Sequence, residues 1–262
     1  MSTATTYAPR VADHGRDATP SLTRLTRVEL RKMYDTRAGF WLLLGGVALT
    51  LLVAALTVFT GSESGKTFSN LLDNSMQAIN VLVPIVGILL VTSEWSQRTA
   101  QVTFTLVPRR GRVLVAKVCA SIVLALAAFV VALGVSALFT ALGGESTGPD
   151  GVWSLDGGVL VQTIVFTIIS MLGGVALGAA ILLSAPAIVA SFVLPLAVTA
   201  ITHIISGLED LGQWIDPSET YSSLTSHSLS GHEWAQVGTT LLLWVVLPLA
   251  IGTYRFLRGE VR

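Results

Sequence analysis

The chain offers little for catalysis: four histidines and one cysteine stand among 262 residues. His227, His232 and Glu233 put three potential metal ligands into seven residues, without the paired placement on one helix face that a zinc site uses. No metal is expected. Gly61-Ser62-Glu63-Ser64-Gly65-Lys66-Thr67 imitates a phosphate-binding loop, but three residues separate the first Gly from Gly-Lys where four are needed to wrap the phosphates. That stretch also follows an apolar run of helical length and lacks the preceding buried strand. It reads as a Gly- and Ser-rich loop. Neither His-Glu-x-x-His nor Gly-x-Ser-x-Gly occurs, and Cys119 lies in an apolar run where a small packed residue is the ordinary role. The expectation is a protein that is not itself an enzyme.

One segment carries pattern instead of catalytic residues. Between Glu94 and Arg112, Trp95, Val102, Phe104 and Leu106 alternate with polar side chains, and Pro108 precedes Arg109, Arg110 and Arg112. A short half-apolar element of this kind can dock into the groove of a partner protein or rest against a bilayer. The residues alone leave both open.

The elements that position this segment follow from composition. Hydrophobic residues make up 52% of the chain and charged ones 12%, with a net charge of zero. Mean hydropathy is +0.71. A soluble domain carries about twice that charged fraction, so a polytopic membrane protein remains once disordered, disulfide-built and nucleic-acid-binding classes are set aside. A helix crossing about 30 Å of hydrocarbon needs about 20 apolar residues. Six windows qualify: Phe40–Phe59, Met76–Thr92, Val118–Leu142, Gly158–Leu183, Ala185–Ile205 and Val237–Leu257. Met76–Thr92 is short and contains Gln77 and Asn80, so five spans is the alternative count. The fourth and fifth windows nearly touch at Ser184, which implies a tight hairpin.

Lys and Arg orient the spans. Fifteen of the 16 precede the first span, lie between spans two and three or at the start of span three, or follow the last; only Lys66 falls on the other side. Both termini and the Glu94–Arg112 loop are therefore expected in the cytoplasm. Residues 1–18 read as a mobile polar tail. Residues 19–36 read as a helix opened by Thr19-Pro20, with Leu22, Leu25, Leu30 and Met33 opposite Arg24, Arg27 and Arg31. An apolar stripe backed by a basic face suits a helix lying in the membrane interface; an ordinary basic flank is the plainer version. Residues 37–262 form the spanning domain. No cleavable signal peptide is visible, and the abundance of Ala, Val, Leu and Gly, with Arg over Lys, points to a GC-rich bacterial genome.

These residues resemble a known family. The acid Glu94 at the end of span two, Thr99 five residues on, Leu106-Val107-Pro108 followed by Arg109, and the return through Val113–Lys117 look like type-two ABC exporter permeases. Glu29-Leu-Arg-Lys-Met33 before span one is similar as well. The resemblance covers the chain from about Ser21 and implies an all-α, six-span subunit of an ATP-driven exporter. Glu94, Arg98, Thr99, Leu106, Pro108, Arg109, Arg110 and Arg112 would form or frame the coupling helix that enters a cleft of a separate ATP-binding subunit. Arg98 stands where the family commonly has Gly. The resemblance further implies a dimer with a second copy or a paralogue through spans one and five. ATP and Mg would be held by the partner, with no cofactor on this chain, in a bacterial cytoplasmic membrane.

Inside the spans, polar residues are hydroxyls and amides. Gln162, Thr163, Thr167 and Ser170 lie in span four; Pro195, Thr199, Thr202 and His203 lie in span five. They can line a pathway or simply bond to neighbouring helices. Pro195 should kink its helix. Gly174 and Gly178 stand four apart, a spacing that permits close helix contact. Leu208, Leu211 and Ile215 are spaced as a short helix after span five, either capping the outer end of a pathway or resting in the interface. The chosen pathway candidates are Gln162, Thr167, Pro195, Thr199, Thr202, Leu208 and Leu211. No intramembrane carboxylate is expected, which disfavours a secondary exporter. A membrane scaffold or immunity-type protein is the other alternative. Small molecules, lipids and peptides all remain open as substrates.

Overall fold

The computed structural model describes residues 20–61, 66–96, 110–143, 153, 155–205 and 207–258. Among the described residues there is no strand. The helices are α1 (Leu22–Asp35), α2 (Arg37–Thr60), α3 (Phe68–Ser96), α4 (Arg110–Gly143), α5 (Gly157–Ile181), α6 (Ser184–Ile204), α7 (Glu209–Ile215), α8 (Pro217–Ser226), α9 (Gly231–Leu241) and α10 (Leu247–Arg258). A π-helical turn, Leu242–Val246, joins the last two. Six of these stretches are long and apolar enough to span a membrane: Arg37–Thr60, Phe68–Glu94, Gly111–Gly143, Gly157–Ile181, Ser184–Ile204 and Gly231–Arg255. The all-α, six-span architecture expected from composition is the one observed.

All six spans start earlier than the hydropathy windows, three of them by six residues or more. The second begins at Phe68 and takes in Asp73; the third takes in Arg112 and Lys117; the sixth begins at Gly231. The reason is that backbone hydrogen bonding, which propagates a helix, is indifferent to one polar side chain that finds a partner or a cavity. Asp73 inside a spanning helix overturns the expectation of no carboxylate there.

Local signals set the ends. Ser21 caps α1, its Oγ accepting from the Arg24 N–H, while Thr19 lies outside the described residues. Thr36 both ends α1 and caps α2, which turns the chain between them in one residue. The predicted hairpin between spans four and five is present. Leu182 adopts the left-handed conformation (φ 63°), and its N–H bonds to the Gly178 carbonyl. Ser184 Oγ then lies 2.7 Å from Thr92 Oγ1, fastening the hairpin to α3. Ser230 and Glu233 form a capping box at the start of α9. Glu233 also meets His227 at 2.7 Å, so this acid and this histidine belong to the end of a helix. Pro248 has no N–H for the carbonyl four residues back, and the ladder before it widens into the π turn.

α3 and α5 form the centre of the bundle. Their backbones meet because glycine allows it: a Cβ on Gly174 would fall 2.1 Å from the Pro84 carbonyl oxygen, and one on Gly87 would fall 2.4 Å from that of Met171. Gly178 packs on Ile88 in the same way. The Gly174/Gly178 pair therefore serves contact within the chain. On the far side of α5, Gly252 of α10 approaches Ala179. Met33, Leu72, Met76, Ile79, Val83, Leu90, Ala120, Phe129 and Met171 build the main apolar core between α1, α3, α4 and α5. By contrast α2 and α6 are the most exposed spans.

Gly174→Leu is expected to break the α3–α5 seam, because the obstruction is backbone and cannot rotate away. The loss should be roughly 1–3 kcal/mol or more, read as a lowered melting temperature in detergent. Gly173→Leu, one residue away and facing open space, should leave the melting temperature nearly unchanged.

Candidate functional site

Where α1 crosses the feet of α3 and α4, four charged side chains meet. Lys117, on the second turn of α4, is fully buried, and Glu29 and Glu94 are each 4% exposed. Lys117 Nζ donates to Glu29 Oε2 at 2.6 Å and to the Leu90 carbonyl at 2.9 Å, and lies 3.4 Å from Glu94 Oε2. Lys32 Nζ bridges the same two acids through their other oxygens, at 2.7 Å from Glu29 Oε1 and 2.5 Å from Glu94 Oε1. Two carboxylates and two ammonium groups thus close a neutral ring. Burial works against the charge of Lys32, but Glu29 and Glu94 together outweigh it and hold its pKa above the ordinary 10.5. Its stabilising contribution is therefore complete below pH 10.5 and fades only as pH rises through the higher, folded-state value.

This ring brackets the loop read as the coupling element. Glu94 lies two residues before α3 ends, and Lys117 lies seven residues into α4. Arg112 Nη2 adds a third tie, donating to the Pro20 carbonyl at 2.9 Å, next to the cap of α1. Arg98, Thr99, Leu106, Pro108 and Arg109 lie outside the described residues; Arg110 opens α4. Glu29, Lys32 and Lys117 were not among the expected site residues, although the sequence carries a trace of them. Glu29 interrupts the apolar face of α1 between Leu25 and Met33, and Lys117 is followed by a long apolar run without a charge.

At the other end of the bundle, α3, α5, α6, α8 and the π turn border an open-sided cavity of about 620 Å³. Asp73, Gln77 and Asn80 of α3 face Phe166 and Ser170 of α5, Phe192 and Pro195 of α6, Tyr221 of α8 and Trp244 of the π turn. Phe166 and Tyr221 meet edge to face, with ring centres 5.7 Å apart. Asn80 Oδ1 and the Tyr221 hydroxyl are buried without a hydrogen-bond partner. Burial pushes the Tyr221 phenol above its ordinary pKa of 10.0, keeping it a neutral hydroxyl. Trp244 is oriented by its indole N–H, which donates to the Ile215 carbonyl at 2.8 Å.

Of the expected pathway residues, Pro195 lines this cavity. Gln162 does not: it is a staple between α5 and the segment after α8. Its amide NH2 donates to the Leu224 and His227 carbonyls at 3.1 and 2.7 Å, and its oxygen accepts from the Leu229 N–H at 3.1 Å. Thr167 is fully buried and bonds back to the Thr163 carbonyl. Thr199 bonds to the Pro195 carbonyl. Thr202 packs against Gly212 of α7 and borders a separate cavity of about 190 Å³. Leu208 caps α7, and Leu211 is exposed. Among the described residues no group of three His, Cys, Asp or Glu is placed to hold a metal.

A family model described as ABC-2 family transporter protein matches residues 47–261. The chain belongs to the ABC-2 transporter family. It is thus a multi-pass membrane permease, a transport component that is not itself catalytic. α1, with Glu29 and Lys32, precedes the matched residues. No curated protein matches the chain.

Lys117→Met is expected to destabilise the ABC-2 permease by about 3–5 kcal/mol, since two buried carboxylates would then share one partly exposed ammonium. Adding Glu29→Gln should restore much of the loss, and a double-mutant cycle on melting temperature measures the coupling. Gln162→Leu should leave one N–H and two carbonyls without a partner and loosen residues 224–230, seen as faster amide exchange there.

Proposed function

We propose that this permease is the membrane subunit of an ATP-driven exporter, coupled through the segment between α3 and α4 to a separate ATP-binding subunit. The observation that carries the reading is the buried Glu29–Lys117–Glu94–Lys32 ring, which ties α1 to both ends of that segment. A push delivered to the segment would move α1 and the feet of α3 and α4 together. Because α3 also lines the 620 Å³ cavity, displacement at one end reaches the other through a single helix. ATP and Mg belong to the partner, and this chain contributes no hydrolytic group.

The segregation of Lys and Arg favours both termini and the α1 end in the cytoplasm of a bacterial cell. The dimer, with a second copy or a paralogue, would form through α2 and α6, whose faces this chain leaves most open. α1, with basic residues on its exposed side, suits a position in the headgroup layer. One observation favours a second reading. Asp73, a carboxylate in a spanning helix on a cavity wall, could serve an ion-coupled carrier.

The test is purification of the tagged chain from its native membrane, with an ATPase assay on the eluate. An ATP-binding subunit should co-purify, and Arg109→Glu with Arg110→Glu should release it while the chain stays inserted. Export by the intact complex should require ATP and survive a protonophore. A chain that elutes alone, or with a partner lacking ATPase activity, would make it a scaffold; export abolished by the protonophore alone would make it a carrier.

A further inference from the structure

We propose that the cavity between α3, α5, α6 and α8 is a binding site for a hydrophobic organic cation. The proposal rests on the exporter reading for its physiological meaning and names the substrate class that reading leaves open. About 620 Å³ is in the range of sites for drug-sized molecules. The charge on its wall is one-sided: Asp73 is a carboxylate, and among the described residues no Lys, Arg or His lines the cavity. Asp73 has no ion-pair partner among the described residues, in contrast to Glu29 and Glu94, each matched by two lysines.

The remaining wall suits the same ligand. Phe166, Phe192, Tyr221 and Trp244 offer aromatic surface, which attracts a cation through the ring quadrupole while burying its apolar groups. Asn80 Oδ1 and the Tyr221 hydroxyl are buried on that wall without partners. Buried polar atoms normally find a partner, and these two place electronegative oxygen just behind the wall, where it favours a positive centre in the cavity through space. An anion would meet Asp73 with no Lys, Arg or His among the described lining residues to offset it. A neutral molecule would leave the carboxylate uncompensated.

Tetraphenylphosphonium and tetraphenylborate have nearly the same shape and opposite charge, so they separate charge recognition from apolar partitioning. Equilibrium dialysis of each against the chain alone in nanodiscs, with empty discs subtracted, measures the saturable part. The cation is expected to bind saturably and the anion not. Asp73→Asn should weaken the cation by about tenfold or more, Asp73→Glu should retain it, and Gly173→Phe, which projects a ring into the cavity from an open position, should block it. Equal saturable binding of the two ions, no saturable binding of the cation, or undiminished binding by a folded Asp73→Asn chain would each overturn the site. The comparison of the two ions on the unaltered chain needs no variant to fold. No nucleotide or partner is present, so a chain that binds the cation yet recruits no ATPase fails the exporter reading and keeps this one, and the reverse result does the opposite.

Discussion

A charge withdrawn from water must be answered by an opposite charge close by, and this protein answers two carboxylates with two ammonium groups at a single point. Everything at the α1 end is arranged around that requirement. α1 supplies Glu29 and Lys32, α3 supplies Glu94, and α4 supplies Lys117. None of the three helices can leave without stranding a charge. Such a ring adds little net stability over a well-packed apolar substitute, because desolvation offsets most of the Coulomb attraction. What it contributes is registry. It fixes which turn of α1 sits over which turns of α3 and α4, and so fixes the geometry of the segment between them.

α3 links that ring to the rest of the molecule. Its contact with α5 is made close by Gly87, Gly174 and Gly178, with backbone against backbone. Such a seam transmits displacement better than one cushioned by long side chains, since few rotamers exist to absorb it. At its other half α3 turns Asp73 and Asn80 toward the cavity. The two ends of one helix therefore treat polarity in opposite ways. In the ring beneath α1 each carboxylate faces two ammonium groups, whereas on the cavity wall Asp73 has no ion-pair partner among the described residues and two buried oxygens lack hydrogen bonds. The first arrangement holds a fixed geometry, and the second leaves room for a ligand to complete it.

Polar residues that hydropathy treats alike divide in the same manner. Gln162 and Thr167 use all their bonding on the protein itself, Gln162 across to the segment after α8 and Thr167 along its own helix. Asp73, three residues ahead of the short window expected for span two, lies on the wall of the cavity. A side chain's type does not distinguish these cases, because the partner's identity depends on which helix lies across from it.

The sequence by itself determined the membrane class, the six spans, a tight hairpin placed at Ser184, one to two residues past its actual position at 182–183, and the all-α fold. Those features follow from local quantities: the run of apolar residues needed to cross hydrocarbon and a break at the helix ends. It also marked the segment from Glu94 to Arg112 as the informative one. Only the tertiary structure decided that Glu29, Lys32 and Lys117 join Glu94, that Gly174 and Gly178 serve contact within the chain, and that Asp73 faces a cavity. Glu29 and Lys117 are 88 residues apart in the chain and their charged ends 2.6 Å apart in space. Neither periodicity nor composition records such a pairing, since both are sums over neighbours in sequence, while the energy of a buried charge depends on neighbours in space.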